Sequence, residues 1–120
     1  MYRIANSNRR LGLVVTTALA AGLLTGCATH PAPRADLSAS RAEAALAKGK
    51  TQSAVQHAEA AVQAEPRNAS YRAMLASAYL DAGRFASAET TFNDAMKLGD
   101  NSTRTALSLA LALDGQGKYD

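Results

Sequence analysis

Residues 69–102 read ASYRAMLASAYLDAGRFASAETTFNDAMKLGDNS. Two Ala-rich segments of helical length flank Gly83, and Gly99 closes the second. Moved along the chain by 34 residues, the stretch meets itself on both sides. Gly83-Arg84 falls on Gly49-Lys50 behind it and on Gly117-Lys118 ahead of it. Ala88 falls on Ala54, Ala95 on Ala61, Leu75 on Leu109, and Ala76 on both Ala42 and Ala110. Phe85 falls on Tyr119. Three copies keep one register with no insertion between them.

Helix punctuation follows the same register. Ser40-x-x-Glu43 reads as a capping box for a first helix running to Lys48 before Gly49. Thr51 is placed to cap a second, which stops at Pro66. Asn68 is placed to cap a third, ending at Gly83, and a fourth runs from Arg84 to Gly99. Asn101 or Ser102 opens a fifth, ending at Gly117. Leu107, Leu109, Leu111 and Leu113 alternate as a strand would. Ala and Leu dominate that segment, though, and the repeat assigns it to helix.

The period and its residues resemble the tetratricopeptide repeat, a pair of antiparallel helices. Ala69 to Ser102 carries Leu75-Ala76-x-x-Tyr79, Gly83-x-Phe85-x-x-Ala88 and Phe92-x-x-Ala95 at the family's positions. The physics agrees. Ala76, Ala88 and Ala95 let helix backbones approach closely, and Leu75, Tyr79, Phe85 and Phe92 fill the space between them. Gly83 ends one helix so that the chain can turn back. Arg72 stands where the family often has an aromatic residue, and Asp100 where it often has proline. The first copy keeps Gly49, Ala54, Ala61 and Pro66 but has Thr51 and Ala58 for aromatics, as a terminal repeat would. The expected fold is therefore all-α: a TPR-type α-solenoid of antiparallel helix pairs. About two and a half repeats would span 38–120, with the third cut short at its second helix. Leu107, Leu109, Leu111 and Leu113 leave apolar surface around most of the last helix, which points to a longer parent chain.

Upstream, Arg3, Arg9 and Arg10 precede an apolar run from Leu11 to Leu24. That order describes a secretory signal peptide, and the run is short for a membrane span of about 20 residues. Leu24-Thr25-Gly26-Cys27 resembles the lipobox of bacterial lipoproteins and holds the chain's one cysteine. The resemblance implies cleavage before Cys27, diacylglycerol on its thiol and an acylated amino terminus, enough chains for stable anchoring. Ala28 in place of aspartate implies, for a Gram-negative host, export to the outer membrane facing the periplasm. Residues 1–26 are thus expected to be the signal, and 27–37 a lipidated, flexible tether containing Pro31 and Pro33.

Composition narrows the function. The chain's charge is +3, but removing the three arginines before Cys27 leaves ten basic residues against ten acidic ones. No nucleic-acid partner is expected. Nor are a cofactor, a metal, a small-molecule substrate or catalysis. His30 lies in the tether, and His57 stands alone on a helix as a partly exposed surface residue. Gly115-x-Gly117 is too short for a phosphate loop and is assigned to the repeat register. Glu59, Glu65, Arg72, Arg84 and Arg104 read as solvated helix charges.

What remains is an interaction scaffold, held at the membrane by its lipid and binding another envelope protein or peptide. The family resemblance extends to Tad-pilus-assembly lipoproteins, and to envelope proteins that place such repeats before a SPOR peptidoglycan-binding domain. An alternative makes these repeats the adaptor of an envelope enzyme whose catalytic or SPOR domain lies beyond residue 120. By the family's inward-facing positions, the partner would meet Ser70, Ala73, Ser77 and Leu80 in the second copy. In the third it would meet Arg104, Leu107 and Leu111, or the two leucines would instead pack against a last helix that follows residue 120. Small and mildly apolar, that surface suits an apolar or helical peptide better than an acidic tail.

Overall fold

The computed structural model describes residues 33–118. They form five helices: α1 Pro33–Ala47, α2 Thr51–Ala64, α3 Ala69–Asp81, α4 Phe85–Lys97 and α5 Thr103–Gly115. No strand occurs among the described residues, so the alternating leucines of the last segment are helical.

Local chemistry places the turns. At Gly83, φ is +71°, a left-handed conformation that β-carbon-bearing residues adopt only with strain. The turn closes with Gly83 N–H on the Leu80 carbonyl at 3.0 Å and Arg84 N–H on that of Tyr79 at 2.8 Å. These paired bonds satisfy carbonyls left open at the helix end. The same pair recurs at Gly49-Lys50, Gly99-Asp100 and Gly117-Lys118. Helix starts differ more. Asn68 caps α3 by accepting from Tyr71 N–H at 3.2 Å, and Ser102 caps α5 by accepting from Thr105 N–H at 3.2 Å. Thr51, expected to cap α2, is instead its first helical residue, and Lys50 before it makes no side-chain cap bond.

Connections of three to five residues fold successive helices back on one another. Each helix packs on the next; α1 also meets α3, and α3 meets α5. Among the described residues α2 and α4 do not touch. The stack therefore closes up along α1, α3 and α5 and opens along α2 and α4. This curvature gives it an inner face made by the first helix of each pair.

Alanine carries the core. Ala42, Ala54, Ala58 and Ala78 are fully buried with Val55 and Leu75 where the first pair meets the second. Ala76, Ala88 and Ala112 surround Phe92, the largest fully buried side chain, where the second pair meets α5. Small residues bring the backbones together, and a few large ones fill what is left.

Two expectations about the first helix are corrected. Residues 33–37, assigned to an extended tether, belong to α1, so the tether does not reach 37. Pro33 stands at the first helical position, where its fixed φ suits a helix and its missing N–H costs nothing. Ala35 and Ala39 are buried against Ala61 and Tyr71. Ser40-x-x-Glu43 consequently lies inside α1 and caps nothing.

Both departures from the repeat pattern have structural partners. Arg72 Nε donates to the Pro66 carbonyl at 2.9 Å, and its guanidinium lies 3.8 Å from the Asp94 carboxylate. It ties the α2–α3 turn to α4. Asp100 accepts from Ser102 N–H at 3.0 Å and from the Thr105 hydroxyl at 2.6 Å.

Candidate partner-binding groove

A groove of about 390 Å³ lies on the inner face. α1 contributes Glu43 and Leu46; α3 contributes Ser70, Ala73, Met74 and Ser77; α5 contributes Arg104, Thr105 and Ser108. α4 contributes Phe92, and the α4–α5 turn contributes Asp100 and Ser102.

Helical spacing explains the grouping. Ser70, Ala73 and Ser77 recur at three and four residues, so they share one stripe of α3. Ala76 and Ala78, on the two flanks of that stripe, are fully buried. Ser77 turns its hydroxyl back to the Ala73 carbonyl at 3.0 Å, which leaves the groove wall smooth and weakly polar.

Three charged residues line the groove: Glu43, Asp100 and Arg104. Glu43 and Arg104 are both exposed. Asp100 is held in place by its hydroxyl and backbone donors. Those hydrogen bonds, the Thr105 hydroxyl first, keep its carboxyl below its ordinary value of 3.8 against a smaller opposing effect of burial. It therefore stays ionised at neutral pH. Thr105 itself is buried, and its hydroxyl both donates to Asp100 and accepts from Ser102 at 3.1 Å.

Of the seven residues expected to meet a partner, Ser70, Ala73, Ser77 and Arg104 line the groove. The other three do not. Leu80 packs on the cluster of Ala76, Ala88, Phe92 and Ala112. Leu107 and Leu111 stand outside the groove, 62% and 59% exposed, on the open edge of α5. Cys27, expected to carry the lipid, lies outside the described residues.

Glu43 and Leu46 were legible in the sequence but were not drawn from it. The 34-residue shift takes Ser77 to Glu43 and Leu80 to Leu46. Ser102 and Asp100 belong to a turn, whose position beside the groove follows from packing alone. His57, read as a partly exposed residue, is half-buried in a cleft shared with Arg41, Lys48 and Lys50.

Helix pairs in a 34-residue register, stacked so that their first helices form a grooved inner face, define a helical-repeat protein of the interaction-module class. Residues 45–113, more than half of the chain, match the tetratricopeptide repeat family. The chain belongs to that family, whose repeats mediate protein–protein interactions. None of the curated proteins matches the chain.

Proposed function

We propose that the protein is a non-catalytic scaffold of the bacterial cell envelope, anchored by lipid at Cys27. Its inner groove takes a segment of another envelope protein, and it serves machinery such as pilus assembly, secretion or cell-wall synthesis. For a Gram-negative host the location is the outer membrane, facing the periplasm. The groove between α1, α3 and α5 is the observation that carries this reading. Its walls are small serines and alanine over Leu46, Met74 and Phe92, which admits a helix or extended strand with apolar anchors. The Leu24-Thr25-Gly26-Cys27 sequence supports the anchor. No helix among the described residues is long and apolar enough to cross a membrane.

Two measurements test the proposal. A photo-crosslinking amino acid at Ser77 should trap one discrete envelope protein in intact cells. Ala73→Glu should abolish that adduct and leave the helical circular dichroism unchanged. Trapping from Lys97, exposed on α4, in place of Ser77 would move the partner to the outer face. Labelled palmitate should enter the wild-type protein and not Cys27→Ser; equal labelling of both would remove the lipid anchor from the reading.

A further inference from the structure

Helix α5 presents an unusual face to solvent. Arg104, Leu107, Leu111 and Asp114 are all exposed. Their spacing of three, four and three residues puts them on one stripe, the spacing of a coiled-coil seam. Exposed Ala106 and Ala110 border it and would let another backbone come close. In repeat register Leu107 replaces Ala73 of α3, and Leu111 replaces Ser77. Among the described residues nothing covers these two large apolar side chains. The two leucines, four residues apart, form one exposed apolar pair.

The charges identify what covers it. Arg104 and Asp114 are the two charged residues of α5, one in its first turn and one in its last. That order opposes the helix's own dipole, which favours an acid at the start and a base at the end. Neither residue has an ion-pair partner among the described residues. The arrangement is unfavourable within one helix and favourable between two antiparallel copies of it. A two-fold axis at Leu109 opposes Arg104 with Asp114 of the second copy, and Leu107 with Leu111. Each cation then also lies beside the negative end of the facing helix. The stripe is complementary to itself, as a two-fold interface requires.

We propose that α5 pairs antiparallel with α5 of a second copy, making a symmetric homodimer through the stripe Arg104–Leu107–Leu111–Asp114. The interface joins two inner faces at their edges, and Arg104 belongs both to the stripe and to the groove lining.

A charge swap tests it on the 120-residue chain purified in detergent, with two affinity tags on separate copies. Wild-type copies should capture one another. Arg104→Asp places two like-charged pairs across the axis, and so does Asp114→Arg; each alone should lower capture about tenfold. Mixing Arg104→Asp copies with Asp114→Arg copies restores both opposite-charge pairs, and capture should return toward wild type. Recovery in the mixture cannot come from a misfolded variant. Absence of capture between wild-type copies, capture indifferent to the charge of either residue, or failure of the mixture to recover would each overturn the dimer.

Discussion

The Tyr71 hydroxyl donates a 2.7 Å hydrogen bond to the Asp36 carboxylate, joining α3 to the first turns of α1 across 35 positions of sequence. It ties two neighbouring first helices directly, without passing through α2. The ring is buried and the carboxylate lies at the exposed edge of α1. The hydrogen bond to Asp36, with burial and the nearby carboxylates of Asp36 and Glu65 behind it, pushes the phenol up to about 12.

Tyr71→Phe should therefore cost about 1 kcal/mol, the ordinary net worth of one such bond. Asp36 can turn to water, so no buried acceptor is orphaned. Amide exchange of residues 35–40 should quicken more than that of α4. The folded phenol titrates above its unfolded value near 10, so the bond's stabilisation is complete below pH 10. It is lost as pH rises toward about 12. Urea unfolding across that window should show the two proteins converging; a constant gap would remove the bond from the account.

Asp100 gives the opposite sign. Its carboxyl titrates below its ordinary value in the folded chain, so its stabilisation is present above pH 4 and is lost as the pH falls further. Asp100→Asn should destabilise the domain by about 1–2 kcal/mol at pH 7, since the Thr105 hydroxyl and Ser102 N–H lose a charged acceptor. At pH 3 the difference should shrink. Paired urea titrations at the two values measure it.

Two glycines should fail for different reasons. Around Gly83 an added Cβ meets nothing within 4 Å, and only the φ of +71° opposes it. Gly83→Asn should be mild and Gly83→Val costly, because asparagine tolerates that conformation and a β-branched residue does not. At Gly115 an added Cβ would stand 2.6 Å from the Phe85 ring. Gly115→Ala should lower the midpoint of thermal unfolding, although alanine is the better helix former by about 1 kcal/mol. A rise would show that Phe85 swings aside freely.

Phe92→Ala should remove the largest buried side chain and cost about 3–5 kcal/mol. That is a large share of the stability of a small domain. Loss of the cooperative transition by circular dichroism is the expected result. Phe92→Leu should retain the transition at a lower midpoint.

Much of this was written locally. The 34-residue register, the turn glycines and the Asn68 and Ser102 caps are short-range chemistry, and each could be read from neighbouring residues. That reading set the number of described helices, their order and three of the groove's α3 residues. It also misread Gly115, which in register falls on Asp81 rather than on a glycine. The residue is explained by Phe85, thirty positions away, whose ring needs the room. The start of α1 was missed for the same reason. Residues 33–37 carry little helical periodicity of their own, and they are held by Tyr71 and Ala61, which only packing brings near. The fate of three large side chains was likewise decided in space. Leu80 turned into the cluster around Phe92, while Leu107 and Leu111 faced outward, because the repeat supplies a neighbour on one side of α3 and leaves the edge of α5 open among the described residues. Periodicity tells which residues share a stripe of a helix; only the stacking of other helices decides which stripe is covered.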